Sequence, residues 1–437
     1  MAISKTVKYN FFRARQTGAA LIFFSLLLVI ISSSIILTHL DGRQIKNERD
    51  KKTSAALAEA KAALIAYSLK LDIGTCTSLN CRRPGDLPCP DMNNNGEAGT
   101  ACGSQNLRIG RFPWKTLGVT DLRDGDGERL WYALSNQYKN NPRVFPLNSD
   151  AMGTITVKTS QGLVINDGSL GTGVVAVIFA PGYPILRDDG LQQSRVSSNE
   201  NSPEHYLDIL LGEDNASFSD GTTDGFIMGP ANDNSGGEII NDRLIVVTRQ
   251  DMLQSMEALV LSKVKNALSI YYSNQSYFPN PANFNDEGCL GSSDIGAVSC
   301  ISSVTNNPGR LPVDGHVPEW ETESILRGEA SGNWFQQNGW REFIMYAVAP
   351  ACATGTINCN GTGMLQLNNA IQQPDTDKRV VLISSGKAID MQTRTSNLEK
   401  GSLANYFEDE NLSSTDGIFK RTIGTSQDIN DRSISIQ

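Results

Sequence analysis

The residues best suited to bind a metal ion lie in the stretch DMNNNGEAGTAC, which begins at Asp91. Carboxylate and amide oxygens recur there at alternate positions, and a glycine permits the sharp turn of a calcium loop; the candidate ligands are Asp91, Asn93, Asn95 and Glu97. The acidic residue that such a loop needs at its last position is replaced by Cys102. The sequence therefore leaves two interpretations open: a Ca²⁺ site, or a polar surface turn closed by Cys89 and Cys102.

Side chains suited to covalent catalysis are few. The stretch SSGK, from Ser384, has the serine-x-x-lysine spacing of some acyl-transfer enzymes. Its counterpart in the internal repeat described below is APGY, from Ala180, which offers neither a nucleophile nor a base. The acids of DLRDGDGERLWYAL are interpreted as a helix cap, with Asp126 capping a short helix that starts near Glu128. We therefore expect a protein that is not an enzyme.

Eight cysteines divide evenly between the two halves of the chain: Cys76, Cys81, Cys89, Cys102, Cys289, Cys300, Cys352 and Cys359. They lie in loops rich in glycine, asparagine and serine, and an even number in such loops favours disulfide bonds. Zinc would need closely spaced pairs of Cys or His, and the chain has only 3 histidines. The main prediction is disulfides in an oxidising compartment, with free structural thiols and a metal site as alternatives.

The charge of the chain argues against a nucleic-acid partner. The net charge is −9, and residues 1–18 contribute four positive charges and no acids, so removing those four leaves −13 on the rest. Such a surface repels the phosphate backbone, and no basic stripe offsets the repulsion. A chain of 437 residues is also too long for one ordinary core, which predicts two globular units.

One segment has the length and character of a membrane helix. No Asp, Glu, Lys or Arg occurs in residues 16–40, and about 20 such residues cross the hydrocarbon core. We predict a cytoplasmic leader over residues 1–18 and a transmembrane helix over residues 19–40, because the basic residues precede the apolar run. The predicted location is the bacterial inner membrane, with the remaining chain in the periplasm or on an extracellular filament. A cleaved secretory signal and an uncleaved signal anchor are the alternatives.

The glycine at the start of this apolar run carries a family resemblance. Gly18 follows a short basic leader, and in this respect the chain resembles the type IV pilin-like family. The resemblance implies that a prepilin peptidase cuts between Gly18 and Ala19. The glutamate usual at the fifth mature position of that family is replaced by Phe23. The large, tip-located minor pseudopilin of type II secretion systems is similar in lacking this acid.

An amphipathic stretch occurs in each half of the chain. In the first, apolar residues step by three or four along a helix, at Leu57, Ala60, Leu64, Tyr67 and Leu71. The second has the same spacing, at Leu253, Met256, Val260, Val264, Ala267 and Tyr271. We expect the first stretch to continue the membrane helix as one long rod.

Further short matches, in the same order, indicate an internal repeat. GRFP matches GRLP, ERLWYAL matches EFIMYAV, VVAVIFAPGYPI matches VVLISSGKAI, TDGF matches TDGI, and INDRLIVV matches INDRSISI. We predict a first head with its helix over residues 41–250 and a second head over residues 251–437. The predicted fold is α+β: a long N-terminal membrane-spanning helix followed by two tandem pilin-like heads, each a helix on an antiparallel sheet.

The function implied by the resemblance is structural. A minor pilin or pseudopilin assembles at, or caps, the tip of a type IV pilus or type II secretion pseudopilus; its partners are other such subunits, prepilin peptidase and the membrane. Filament contacts are expected along the apolar helix, at Phe23, Ser25, Ser32 and Ser33, because apolar helices associate through shape and polar contacts. The alternative is a membrane-anchored receptor or adhesin with two related binding domains.

Overall fold

The computed structural model describes residues 19–39, 42–71, 82–290, 300, 302–303, 307–313, 334–356, 359–369, 373–389, 391–412, 416–421 and 430–437. Gly18, a residue of the predicted cleavage site, and the disulfide candidates Cys76 and Cys81 lie outside these residues.

The helices differ from the predicted single rod. Within the described residues the α-helices are α1 (Ala19–His39), α2 (Gly42–Ser68), α3 (Trp114–Leu117), α4 (Arg249–Gln275), α5 (Trp334–Gln337) and α6 (Asn397–Lys400). The expectation of one long membrane-spanning rod is wrong, since the described residues give two separate helices, α1 (Ala19–His39) and α2 (Gly42–Ser68). Throughout the described ranges, no helix combines the length and apolar character that a membrane crossing requires. The predicted membrane-spanning helix and inner-membrane location are corrected accordingly.

The strands are short and numerous. In chain order they are β1 (Ile109–Arg111), β2 (Trp131–Leu134), β3 (Thr156–Lys158), β4 (Val164–Asn166), β5 (Ala176–Ala180), β6 (Ile209–Leu210), β7 (Glu213–Asp214), β8 (Gly225–Ile227), β9 (Ala231–Asn232), β10 (Glu238–Ile240), β11 (Arg243–Val247), β12 (Gly309–Arg310), β13 (Ile344–Val348), β14 (Leu365–Asn369), β15 (Asp375–Lys378), β16 (Val380–Ser384), β17 (Ile418–Arg421) and β18 (Arg432–Ile436).

These strands form several small sheets rather than two antiparallel ones. The pairs β3 with β8 and β14 with β17 are parallel. The predicted α+β class is therefore wrong, and the fold is mixed α/β. Parallel partners lie far apart in the chain, so the local sequence pattern does not reveal their direction.

The chain nevertheless contains two units of the same topology. We call residues 42–247 the first unit and residues 249–437 the second unit. The first has sheets of order β1-β2-β5-β11 and β4-β3-β8, and the second has sheets of order β12-β13-β16-β18 and β15-β14-β17. The strand registers correspond as well, since Arg243 faces Ala180 in the first unit and Arg432 faces Ser384 in the second. The sequence matches of the internal repeat therefore fall on equivalent strands.

One helix packs on each four-stranded sheet. α2 contacts β5 and β11, and α4 contacts β16 and β18. The predicted apolar stripes are confirmed, because their members within the helices are buried: Leu57, Ala60, Leu64 and Tyr67 on α2, and Leu253, Met256, Val260, Val264, Ala267 and Tyr271 on α4. Leu71 lies beyond the end of α2. Both stripes belong to one hydrophobic core that continues through both units.

The predicted helix cap at Asp126 is wrong. The residues after Glu128 form strand β2 instead of a helix. Asp124 organises this turn: its Oδ1 accepts hydrogen bonds from the backbone N–H groups of Asp126, at 3.0 Å, and Glu128, at 2.9 Å. Hydrogen bonds from an aspartate side chain to nearby backbone N–H groups occur both in acidic turns and at helix N-termini. Here the segment is a turn, because a buried strand follows it.

Buried polar contacts join the two units. Asn338 of the second unit accepts hydrogen bonds through Oδ1 from the backbone N–H of Leu147, at 2.9 Å, and from Arg83 Nη1, at 2.8 Å. Asn338 O accepts another from Asn148 Nδ2, at 2.8 Å. Because Asn338 is only 2% exposed, water does not replace these bonds when they are lost.

Substitution of Asn338 tests this contact. Asn338→Ala leaves the buried N–H of Leu147 without its acceptor, so we expect the free energy of unfolding to fall by about 1–3 kcal/mol. Urea unfolding of both variants measures the change, with Asn201→Ala, at an exposed asparagine, as the control. Equal midpoints for Asn338→Ala and the unsubstituted chain would contradict the contact.

Candidate interaction site

An open cleft of about 280 Å³ lies in the first unit, between α2 and the loops at the ends of β5 and β11. α2 contributes Thr53, the turn before β2 contributes Asp124, the loop after β5 contributes Gly182 and Tyr183, and the residue Asn241 comes from just before β11. The cleft is therefore built from four segments that are distant in the sequence. We call this feature the open cleft.

Hydrogen bonds fix the loop after β5 against the strand ends. Asp124 Oδ2 accepts a hydrogen bond from the Gly182 N–H, at 2.9 Å, and Asn241 Nδ2 donates to Tyr183 O, at 2.7 Å. Gly182 has a φ of +63°, and a Cβ there would lie 3.0 Å from the Asn241 side chain. Glycine is therefore required at this position, both for the left-handed backbone and for the close approach.

Three ion pairs cross the open cleft between α2 and the rest of the unit: Lys46 with Glu238 at 3.1 Å, Arg49 with Asp126 at 2.9 Å, and Asp50 with Arg243 at 2.7 Å. The hydrogen bond that Tyr183 donates to Glu238 raises the pKa of Tyr183 to about 12. The three cations of the lining are each paired with an acid, and the fourth acid, Asp124, accepts hydrogen bonds from backbone N–H groups. Because the ion pairs are partly exposed, each adds about 0–1 kcal/mol of stability.

The equivalent position in the second unit is covered by residues 147–151 of the first unit, which we call the docking loop. Alignment of Leu64 with Leu268 on the two helices makes Glu257 equivalent to Thr53. The register of the sheets, which aligns Tyr132 with Tyr346, makes Asn338 equivalent to Asp124. Ser149 Oγ donates to Glu257 Oε1, at 2.9 Å, and burial raises the pKa of Glu257 to about 7. The docking loop thus supplies the partner of Glu257 in the second unit, whereas the equivalent Thr53 accepts a hydrogen bond from the Gly125 N–H of its own unit, at 2.9 Å.

An ion pair completes the seat of the docking loop. Asp150 Oδ1 accepts hydrogen bonds from Arg394 Nη1, at 3.0 Å, and from the Ala388 N–H, at 3.1 Å. Arg394 also donates to Gly386 O, at 3.1 Å. Arg394 and Gly386 correspond to Arg195 and Gly182 of the first unit, where Arg195 Nη2 donates a hydrogen bond to Gly182 O, at 3.3 Å.

A second repeated feature lies beside the cleft positions: a pair of buried carboxyl groups. In the first unit, Asp208 Oδ2 accepts from the backbone N–H of Asn241, at 2.8 Å, and Asp242 Oδ2 accepts from the N–H of Asp208, at 2.7 Å. Burial raises the pKa of Asp208 to about 6. Burial, and then the charge of Asp208, raises the pKa of Asp242. Ionisation of both groups at once is therefore disfavoured.

The second unit repeats this pair with Glu408 and Asp431. Asp431 Oδ2 accepts from the Glu408 N–H, at 3.2 Å, and from Asn411 Nδ2, at 2.9 Å. Burial raises the pKa of both acids, and the charge of Glu408 raises that of Asp431 further. Each unit thus ties the start of its last strand to a preceding loop through two carboxyl groups.

The predicted filament-packing residues lie on α1. Phe23 is 74% exposed, and the other large apolar side chains from Leu21 to Ile31 are exposed too. Ser25, Ser32 and Ser33 donate their hydroxyl hydrogens to carbonyls of α1 itself, at 2.6–3.0 Å. Ala19 is the first residue of α1, and the predicted cleavage partner Gly18 lies outside the described residues.

The candidate calcium loop is held by its own backbone. Asp91 accepts hydrogen bonds from the N–H groups of Asn93, at 2.9 Å, and Gly96, at 2.6 Å, while Asn95 Oδ1 accepts from the Glu97 N–H, at 2.8 Å. Across the described residues, no group of three or more His, Cys, Asp or Glu side chains is arranged to hold a metal. Calcium binding by Asp91, Asn93, Asn95 and Glu97 stays a prediction.

Three disulfides confirm the interpretation of the cysteines: Cys89 with Cys102, Cys289 with Cys300, and Cys352 with Cys359. Cys76 and Cys81 lie outside the described residues. The serine of the SSGK stretch, Ser384, is 1% exposed and belongs to β16, so its hydroxyl does not face a cleft that a substrate enters.

No family model, curated protein or solved structure matches this chain. Equivalent positions of the two units are therefore compared with each other. Sequence reasoning missed the open cleft and the docking loop. The repeat contained the signal, because matching strands imply matching loop positions, but only the structure reveals that the docking loop contacts one position and the turn at Gly125 the other.

The carboxyl pairs predict a fall in stability as pH rises. The folded pKa values are raised, so the folded chain holds more protons than the unfolded chain from about pH 4 upward. Stability present at low pH is lost as pH rises, through about pH 6 for Asp208. We expect a loss on the order of 2 kcal/mol per pair, measured by urea unfolding at a series of pH values. Asp242→Asn should flatten the slope, and Asp242→Asn with Asp431→Asn should flatten it further.

Asp224→Asn, at an exposed acid, is the control and should leave the slope unchanged. A slope that Asp242→Asn does not alter would contradict the raised pKa of Asp242 in the first unit.

The two interpretations of the Asp91 loop are separated by one comparison. Asp91→Ala removes the acceptor of two backbone N–H groups, so we expect a loss of about 1–3 kcal/mol that is equal in EGTA and in millimolar CaCl₂. Thermal unfolding measures it. A rise in the stability of the unsubstituted chain with CaCl₂, absent from Asp91→Ala, would instead establish the calcium site.

Proposed function

We propose that this chain is a non-enzymatic structural subunit of a pilus-type or pseudopilus-type filament, and that α1 joins it to the helices of other subunits. The observation that carries the proposal is the exposure of α1. Leu21, Phe24 and Leu27 are 56–74% exposed, and apolar side chains project from every side of the helix. A helix that is apolar all round is stable only when other apolar groups cover it.

Neighbouring helices of the same kind suit this surface. Burial of apolar area stabilises association by about 25 cal/mol per Å², and α1 offers such area without charge from Leu21 to Ser33. The serine hydroxyls already donate to α1 itself, so they add no unpaired donor to a helix–helix contact. Prepilin peptidase, acting between Gly18 and Ala19, and the tip position implied by Phe23 belong to the same proposal and rest on the family resemblance.

A lysine within α1 tests the proposal. Leu27→Lys places a charge where another helix would pack, at a cost of several kcal/mol, so we expect incorporation into filaments to fall at least about tenfold. The chain is co-expressed with type IV pilin-like subunits and prepilin peptidase. Its share in the filament fraction is measured by immunoblot, and its mature N-terminus is read by mass spectrometry, with Ala19 as the expected first residue.

Leu398→Lys is the matched control, because Leu398 is also an exposed leucine on a helix and lies outside α1. It should incorporate within about twofold of the unsubstituted chain. Normal incorporation of Leu27→Lys would refute the role of α1, and a mature chain that still begins at Met1 would refute the processing step.

A further inference from the structure

Every residue of the docking loop makes a polar contact with the second unit. Leu147 and Asn148 bond to Asn338, as described above. The other contacts join Ser149 Oγ to Glu257 Oε1, at 2.9 Å, Asp150 Oδ1 to Arg394 Nη1, at 3.0 Å, and Ala151 O to Arg249 Nη1, at 3.4 Å. The loop is thus fixed along its whole length by contacts whose strength depends on the charges of the groups that make them.

Glu257 is the least well compensated charge in this seat. It lies on α4, is 2% exposed, and accepts a hydrogen bond from Ser149. Its Oε2 lies 3.7 Å from Arg432 Nε, which is beyond hydrogen-bond distance, and this Nε has no acceptor among the described residues. Within the described chain, the ionised form of Glu257 therefore has one neutral donor and no cation at hydrogen-bond distance. A buried charge held in this way is costly.

Charged groups face Glu257 from three elements of the second unit. Burial raises the pKa of Glu257 to about 7, although Arg432 on β18, Arg249 on α4 and Arg394 after β16 each lower it. The seat also contains Lys387, after β16, and Asp150, on the docking loop. The carboxyl group of Glu257 therefore changes its charge near neutral pH, where an ordinary glutamate is ionised.

The equivalent position of the first unit carries no ionisable side chain. Thr53 stands there in place of Glu257, and its hydroxyl oxygen accepts the hydrogen bond from the Gly125 N–H of the same unit, at 2.9 Å. A contact between a hydroxyl and a backbone amide does not depend on the proton concentration. Of the two equivalent positions, the one that joins the units is the one with a titratable group.

We propose that Glu257 is a proton-dependent latch for the docking loop: the loop stays seated while Glu257 is protonated and opens more often once Glu257 is ionised. Ionisation places a charge between the loop and α4 that the surrounding protein stabilises poorly, and opening of the loop lets water solvate that charge. The hydrophobic core shared by both units holds them together in either state, so the opening is local. This inference goes beyond the proposed function and does not depend on the role of α1.

The raised pKa of Glu257 sets the direction of the effect. With the loop open, Glu257 titrates as an ordinary glutamate, near pH 4.5, whereas with the loop seated it titrates near pH 7. The seated state therefore keeps a proton that the open state releases, and it loses this advantage as pH rises through about 7. The equilibrium constant for opening should rise about tenfold between pH 6 and pH 8.

Hydrogen–deuterium exchange of the docking loop tests the proposal on the purified full chain, kept in solution by a mild detergent. Exchange of the peptide that contains residues 147–151 is followed at pH 6, 7 and 8. The rates are corrected for the intrinsic pH dependence of amide exchange, which leaves the opening constant. We expect the rise of about tenfold from pH 6 to pH 8, and an opening constant that does not rise would overturn the proposal.

Glu257→Gln is the decisive variant, because its side chain accepts the hydrogen bond of Ser149 and cannot ionise. Its opening constant should stay within about twofold between pH 6 and pH 8. Glu257→Thr introduces the residue found at the equivalent position of the first unit; it should behave in the same way, and it carries the test if Glu257→Gln does not fold. A tenfold rise retained by either folded variant would overturn the latch.

Two further substitutions are controls. Glu59→Gln removes an exposed glutamate from α2, the equivalent helix, and Asp242→Asn removes a buried acid of the first unit. The rise of about tenfold should persist in both variants, because Glu257 is intact. Loss of the rise in Asp242→Asn would assign the pH dependence to the carboxyl pair of the first unit and would overturn the latch.

Carbon-13 NMR of the glutamate-labelled full chain identifies the titrating group directly, since the carboxyl signal that Glu257→Gln removes belongs to Glu257. We expect this signal to titrate near pH 7. Arg432→Gln should move its midpoint to higher pH, because the charge of Arg432 favours the ionised carboxylate. A midpoint near pH 4.5 in the unsubstituted chain, or one that Arg432→Gln does not raise, would overturn the proposal.

Discussion

The packing of α2 and α4 on their sheets is the constraint on which the rest of the structure depends. Each helix buries one apolar stripe, and the two stripes meet in a core that runs through both units. Leu64 and Leu268, at equivalent positions, are fully buried. Each apolar stripe is buried only when its sheet covers it, so both units need the same strand order and register. The loops at the strand ends are thereby brought to equivalent positions.

Polar interactions then specify how the loops are held. In each unit a tyrosine lies between two arginines: Tyr206 is stacked by Arg111 and Arg195, and Tyr406 by Arg310 and Arg394. One acid of each carboxyl pair follows this tyrosine by two residues: Asp208 follows Tyr206, and Glu408 follows Tyr406. Burial of so many ionisable groups lowers stability unless each group is paired, so their presence in both units indicates that they define the loop conformation rather than add stability.

The two units differ in which residues contact the equivalent positions beside α2 and α4. Residues that cover the second unit's cleft position come from the first unit, and this contact makes the two units one body, as the ion pair of Asp150 with Arg394 illustrates. In the first unit, α2 is joined to the facing turn by the hydrogen bond from the Gly125 N–H to Thr53 Oγ1, at 2.9 Å, and by partly exposed ion pairs.

The sequence by itself determined the features that depend on local pattern: the apolar stripes of α2 and α4, the disulfide-bonded loops, and the repeat that maps onto equivalent strands. These follow from periodicity and from residue order, which are properties of the chain before it folds. Tertiary structure decided the rest. The parallel pairing of β3 with β8 and the strand in place of a helix after Asp126 each depend on contacts between distant segments. The open cleft belongs to this second group, because residues as far apart as Thr53 and Asn241 form it only when the core places them together.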